Sequence, residues 1–238
     1  MEDNLIQKLT AYKPSQEAIE LIKHTKILLL VGPTGAGKGA LNAELLKTNQ
    51  YYHIVSHTTR PPRINQGIPE EDGLDYHFID KATAEQMLDK RQFIEAKIIH
   101  GNLYGTSVDE FKAAQRQRKI ALTDIDVQGI REYKQLDSKV MAIFLLPPNF
   151  LVWQDRLSKR YGDVVDAEDH KNRLRTALNE LKEMQDSGYY IAVINDYMTD
   201  TYQQISDFIE KGIKPNQTKA RKVAEQLMKD INDYLNKA

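Results

Sequence analysis

Lys38 is the residue whose chemistry is plainest from type and spacing. It closes the segment Gly32-Pro33-Thr34-Gly35-Ala36-Gly37-Lys38, which has the spacing G-x-x-x-x-G-K. A glycine-rich turn of this kind brings backbone N–H groups against phosphate oxygens, and the lysine adds a full positive charge over the terminal phosphates. The apolar run Ile27–Val31 precedes it and a helix-forming segment, residues 38–47, comes after it. That is the strand–loop–helix setting the motif requires, with the positive end of the helix directed at the anion. A chance glycine-rich turn is the alternative reading. One position departs from the pattern. A serine or threonine after the lysine would hold magnesium, and here Gly39 is followed by Ala40.

A second constellation is Ser56-His57-Thr58-Thr59-Arg60-Pro61-Pro62-Arg63. Two arginines three apart, preceded by hydroxyl residues and braced by prolines, make an anion clamp, because guanidinium forks fit phosphate oxygens in a bidentate way. The alternative is a solvated basic loop. The six histidines show no metal-ligand spacing, and His57, His77 and His100 read as site lining. Asp155 with Arg156, and Glu180 with Glu183, read as ordinary charges on helix surfaces.

These residues need a scaffold. The chain has 238 residues, enough for one large domain with a sizeable core. Hydrophobic content of 41% and charged content of 28% are those of an ordinary soluble protein. The net charge of −1 provides no field to draw the chain to nucleic acid or a membrane. The absence of cysteine excludes disulfides and thiolate chemistry. The start, Met1-Glu2-Asp3-Asn4, lacks signal-peptide character, and no apolar run is long enough to span a bilayer. A cytoplasmic location is the expectation.

Strands are expected at Ile27–Val31, 52–56, Phe93–Ile99, Ile120–Asp124, 140–146 and 191–194. Helices are expected at about 14–24, 38–47, 84–90, 108–118, Phe150–Tyr161 and 169–187. Residues 60–73 read as a loop or short irregular insert. Short apolar strands alternating with helices predict an α/β fold with a parallel sheet covered on both faces. Ligands then bind at the carboxyl ends of the strands, where Gly32, Asp124, Pro147 and Asn195 fall. Residues 219–237 read as one amphipathic helix, with Val223, Leu227, Ile231 and Leu235 four apart. It is expected to pack on its own domain, with a homodimer contact as the alternative.

The order of motifs resembles that of guanylate kinases. Carrying the resemblance are the phosphate loop, Ser56 to Arg63, Gly73-Leu74-Asp75-Tyr76-His77-Phe78, Phe93-Ile94-Glu95, His100-Gly101-Asn102-Leu103-Tyr104-Gly105-Thr106-Ser107 and Asp124-Ile125-Asp126-Val127-Gln128-Gly129. It continues through Phe144-Leu145-Leu146-Pro147-Pro148 and covers roughly residues 26–212. The resemblance implies a parallel-sheet P-loop kinase core with a small GMP-binding insert at about 56–108 and a helical lid at about 156–176. Residues 1–25 then form an N-terminal helical extension and 213–238 a C-terminal amphipathic helix.

It also implies roles. ATP lies on Gly32, Pro33, Thr34, Gly35, Ala36, Gly37, Lys38 and Gly39, with Asn195 near the adenine. Ser56, Arg60, Arg63, Tyr76 and Tyr104 hold the GMP phosphate. Glu95 and Thr106 read the guanine edge, with Asp126 beside them. Asp124 holds Mg2+ through water. Arg160 and Arg173 close over the moving phosphoryl group, with Lys38 and Arg60, although residues 161–168 differ from the usual run. The implied activity is ATP-dependent phosphorylation of GMP and dGMP, a step of purine nucleotide metabolism. The alternative, raised by Gly39, is a weak or silent domain that binds a nucleotide or phosphorylated partner. A third reading is a kinase of altered nucleotide choice, against which stand Glu95 and Thr106.

Overall fold

The computed structural model describes residues 2–65, 67–161 and 167–237. In chain order the elements are α1 (Glu2–Thr10), α2 (Gln16–Lys23), β1 (Ile27–Val31), α3 (Lys38–Leu46), β2 (Tyr51–His53), β3 (His57–Thr58), β4 (Ile64–Asn65), β5 (Ile68–Pro69) and β6 (His77–Phe78). Then come α4 (Lys81–Asp89), β7 (Phe93–Ile99), β8 (Asn102–Ser107), α5 (Val108–Arg116), β9 (Ile120–Asp124), α6 (Val127–Leu136), β10 (Met141–Leu146), α7 (Phe150–Tyr161), α8 (Ala167–Asp186), β11 (Tyr190–Ile194), α9 (Met198–Lys211) and α10 (Gln217–Lys237). The chain divides into two compact units. One comprises Leu28–Thr48, Asp124–Arg131 and Met141–Ala238; the other comprises Met1–Ile27, Asn49–Thr123 and Glu132–Val140.

In the first unit β11, β10 and β1 run parallel in that order, with Leu30 opposite Ile143 and Ile143 opposite Ile191. Every residue of β1 is buried. An apolar run without alternation is the mark of a strand covered on both faces. Trp153 of α7, Leu174 and Leu181 of α8 and Ile205 of α9 supply buried side chains of the unit. The C-terminal helix packs on α7, α8, β10 and β11, so its apolar face is used within its own unit. Its buried residues are Ala220, Ala224, Leu227 and Ile231, whereas Val223 and Leu235 are only half-buried. The buried stripe thus keeps Leu227 and Ile231 of the expected set and takes Ala220 and Ala224 in addition. At the first turn of α10 the Gln217 amide donates to Ala192 O at 3.1 Å and accepts from Ala192 N at 3.0 Å, which closes the outer edge of β11.

In the second unit β2 pairs in parallel with β9, and a separate sheet has the order β6-β3-β8-β7. In it β3 and β6 are parallel and the remaining pairs antiparallel. Among the described residues, 60–73 hold the small hairpin β4–β5 and a bridge from Asp72 to Tyr76. The elements not expected from sequence are β3, β4, β5, β6, β8, α6 and α9, whereas α1 falls in the expected helical extension. β8 carries Asn102, Tyr104, Gly105, Thr106 and Ser107, whose polar groups hide the period of 2 that marks a strand.

The N-terminal segment is built into this unit. Leu5 of α1 joins a core with Ala84, Leu88, Phe93 and Leu103, and Lys8 pairs with Asp89 at 2.6 Å. The Tyr12 hydroxyl donates to Phe93 O at 2.5 Å and accepts from Phe93 N at 2.9 Å. β7 is an outer strand, and its register against β8 shifts between Phe93 and Glu95. One side chain thus satisfies both backbone groups of the residue where the ladder is interrupted. Burial pushes the Tyr12 hydroxyl up to about 12, so it keeps its proton. Tyr12→Phe leaves both groups without that partner. It is expected to destabilise the protein by about 1–3 kcal/mol, the usual cost of an unmet buried polar group. Thermal unfolding followed by circular dichroism checks this; an unchanged midpoint contradicts it.

Candidate active site

The phosphate loop forms at the end of β1. Gly32 has φ +138°, and a β-carbon there would overlap the Leu145 carbonyl of the adjacent strand β10. Gly37 has φ +101° and lies against the Asn195 amide, which again leaves no room for a side chain. The loop's carbonyls are met by donors: Trp153 Nε1 to Thr34 O at 2.7 Å, Asn195 Nδ2 to Ala36 O at 2.8 Å and Lys38 Nζ to Gly32 O at 2.5 Å. Burial holds the Lys38 ammonium below its ordinary value, opposed by the charges of Glu180 and Asp124. A cavity of about 720 Å³ opens over the loop, within the size range of ligand sites, lined by Gly37, Lys38, Asp124, Arg156, Arg160 and Asn195 among others.

Asn195 therefore lies where expected, but both ends of its amide are used by protein, since its Oδ1 also accepts from Thr201 Oγ1 at 3.0 Å. It braces the loop. Arg156 is no plain surface charge: it donates to Asn195 O at 2.9 Å and Asp196 O at 3.2 Å and walls the cavity. Glu180 also differs from its surface reading. It is half-buried, its carboxyl raised by burial and held back by the nearby Lys38 charge. Arg160 lines the cavity, whereas Arg173 is held by Asp169 of its own helix at 2.8 Å and lies 4.0 Å from the Tyr161 ring centre. Part of the expected lid segment, residues 162–166, lies outside the described residues. Asp126 receives Gly129 N at 2.8 Å at the start of α6.

In the other unit the clamp residues gather around Arg60, which is 6% exposed. Its Nε donates to Tyr104 Oη at 3.1 Å, Nη1 donates to Pro61 O at 2.7 Å and to Glu70 at 2.8 Å, and Nη2 donates to Glu70 at 3.0 Å. The Tyr76 ring lies 5.3 Å from the guanidinium carbon and edge-on to Tyr104. The Glu70 carboxylate, by its hydrogen bonds, raises Arg60 above the ordinary arginine value. It also accepts from the Arg63 backbone at 2.8 Å, while the Arg63 side chain is exposed. Ser56 stands at the head of the motif, its carbonyl accepting from His77 N at 2.9 Å.

Glu95 and Thr106 are brought together across β7 and β8. Thr106 Oγ1 donates to Glu95 Oε1 at 2.7 Å, and both residues are buried, at 6% and 1% exposure. A cavity of about 300 Å³ nevertheless reaches Glu95, along with Tyr12, Ala96, Glu132 and Gln135. Two members of these clusters, Tyr133 here and Glu70 at Arg60, were missed in the sequence. Tyr133 of α6 lies 2.7 Å from Thr106 Oγ1 and is fully buried; its only signal is a tyrosine on the inner stripe of an amphipathic helix. Glu70 is signalled only by an acidic residue beyond two arginines within a loop. Among the described residues no group of three His, Asp or Glu side chains is placed to hold a metal ion.

The family model for guanylate kinase matches residues 24–212. The chain belongs to the guanylate kinase family. It is 36% identical over 187 residues to guanylate kinase 1 of Arabidopsis thaliana, an alignment covering 77% of this chain and 47% of that protein. The chain thus spans about half the length of the plant relatives it matches, rice included. It is 33% identical over 193 residues to guanylate kinase of Sus scrofa, covering 80% of this chain and 94% of that one. The crystal structure of guanylate kinase from Anaplasma phagocytophilum shares the fold, with a TM-score of 0.59 at 24% identity over 79% of this chain and 86% of that one. The P-loop kinase core of the family is the parallel sheet that carries the loop and Lys38.

His57, within the family's arginine motif, is set 4.6 Å from His77 and edge-on to Phe93. Its Nδ1 is buried without a hydrogen-bond partner among the described residues. Burial, reinforced by His77, lowers it from 6.5 to about 4. Below pH 6.5 the unfolded chain takes up a proton that folded His57 refuses until about pH 4, so stability is present above 6.5 and drains away as pH falls. Thermal midpoints measured between pH 7 and 4 are expected to fall on acidification, with a shallower slope in His57→Asn. Equal slopes contradict this.

Proposed function

We propose that this chain transfers the terminal phosphoryl group of ATP to the phosphate of GMP or dGMP. The buried Glu95–Thr106 pair carries the substrate assignment. A carboxylate accepts from guanine N1–H and the 2-amino group, and a hydroxyl donates to O6. Adenine reverses this pattern, and a buried carboxylate facing it is left poorly paired, which discriminates strongly. The phosphate loop with Lys38 carries the assignment of ATP.

In the reaction an oxygen of the GMP phosphate forms a bond to the terminal phosphorus while the bond to the bridging oxygen breaks. The protein supplies position and charge. Lys38 leaves its loop carbonyls for the phosphate oxygens, and Arg160 and Arg156 add charge at the rim of the same cavity. Arg173 serves as a further lid arginine. Arg60, Arg63, Tyr76, Tyr104 and Ser56 hold the acceptor phosphate.

Magnesium, when bound with ATP, neutralises charge on the phosphate oxygens. The residues fit it. Asp124 lines the cavity and would hold it through water, and a β-carbon at Gly39 would meet nothing within 4 Å, so the space of the usual hydroxyl ligand is open. A cysteine-free chain with no helix among the described residues long and apolar enough to cross a membrane suits purine nucleotide metabolism in the cytoplasm.

ADP release from MgATP is measured with GMP, dGMP, AMP, CMP and UMP offered separately. Turnover with GMP and dGMP is expected. Measurable GMP binding without turnover would favour the silent module that Gly39 raises. Lys38→Ala is expected to lower GMP-dependent turnover by at least about 100-fold; full activity would sink the assignment. Gly39→Ser is expected to lower the Mg2+ concentration for half-maximal rate several-fold and to raise the melting temperature, since a helical glycine is replaced. An unchanged Mg2+ dependence would show that the missing hydroxyl is immaterial.

A further inference from the structure

We propose that the Tyr133 hydroxyl fixes Thr106 as a hydrogen-bond donor and thereby strengthens the choice of guanine over adenine. This rests on the assignment of guanine to Glu95 and Thr106. Tyr133 is wholly enclosed, with its ring 5.8 Å from that of Phe111. Its oxygen is 2.7 Å from Thr106 Oγ1, which itself donates to Glu95 Oε1 at 2.7 Å. A threonine hydroxyl has a single proton. With that proton on Glu95, the short contact to Tyr133 is a hydrogen bond only if Tyr133 is the donor. Donation therefore runs one way, from Tyr133 to Thr106 to Glu95. Burial, and then the charge of Glu95, push the Tyr133 hydroxyl well above the ordinary tyrosine value, so the donor proton is retained.

The direction matters because guanine offers an acceptor, O6, where adenine offers an amino group. Hydrogen bonds in a chain polarise one another, so a hydroxyl that receives a bond gives a stronger one and accepts less well. One of the two Thr106 lone pairs is also already taken. Thr106 is thus prepared to turn its proton from Glu95 to O6, while Glu95 takes the two guanine N–H groups. It is poorly prepared to accept from an adenine amine. Tyr133 needs no contact with the base to do this; it is a positioning residue acting through Thr106.

Tyr133→Phe keeps the ring and removes the donor. We would measure kcat and KM with GMP, with IMP (which keeps O6 and lacks the 2-amino group) and with AMP. Expected is a fall in kcat/KM of roughly three- to tenfold for GMP and IMP alike, the size of one neutral hydrogen bond, carried mainly by KM. AMP is expected to be unaffected or improved, so the GMP-to-AMP ratio drops. Equal losses on all three acceptors, or an unchanged ratio, overturn the proposal and leave Tyr133 a packing residue. Thr106→Val separates this failure from failure of the underlying reading: if it does not raise KM for GMP, guanine is not read by Thr106 at all. Should Tyr133→Phe fail to fold, the double variant Thr106→Val, Tyr133→Phe leaves no hydroxyl unpaired. It is expected to match Thr106→Val alone in its GMP-to-AMP ratio, and a further fall overturns the proposal.

Discussion

The phosphate loop depends on the lack of a β-carbon at Gly32. The backbone there lies flat against the Leu145 carbonyl, so β1 can leave the sheet while still touching its neighbour. Beyond Gly32 the chain curls, and the carbonyls of that curl would repel a phosphate if they faced one. Trp153, Asn195 and Lys38 each engage one of them. Two of these donors stand in α7 and just after β11, far from the loop in sequence, and they leave the loop's character set by its N–H groups and the dipole of α3. The third, Lys38, is the last residue of the loop itself.

A second theme is the closing of sheet edges by single side chains. Tyr12 satisfies Phe93 on β7, and Gln217 satisfies Ala192 on β11. Both side chains come from segments outside the region that matches the family, residues 24–212. An exposed strand edge invites pairing with other chains, and covering it with a helix is a common protection. At β7 the effect reaches the site, because Phe93 lies at the register shift that precedes Glu95.

The anion clamp is already charged with a carboxylate. Four hydrogen bonds from Arg60, two of them to Glu70, hold the guanidinium in a single plane beside Tyr76 and Tyr104. This removes the entropic cost of ordering a long side chain at the moment of binding. An anion bound at Arg60 would have to share the fork with Glu70 or displace it. Arg60 with its partners and the Glu95–Thr106 pair lie in the same compact unit, on β7, β8 and the segment between β3 and β6.

The parts legible in the sequence were those where one local rule decides. Ile27–Val31 is a strand because five buried apolar residues admit little else, and Gly32 to Lys38 is a phosphate loop because the glycines are needed in place. Likewise α7 and β7 fall within the bounds expected of them. The parts that were missed are those where polar residues serve distant partners. β8 hides because its Thr106 answers to Glu95 and Tyr133; Glu70 and Arg156 were invisible because their partners stand 10 and 39 residues away. By itself the sequence determined where a glycine-rich loop with its lysine would form after β1, because backbone geometry and charge are local properties. Only the tertiary structure decided which way the hydroxyl of Thr106 points and what holds Arg60 in place, because hydrogen-bond direction and burial exist only once distant segments meet.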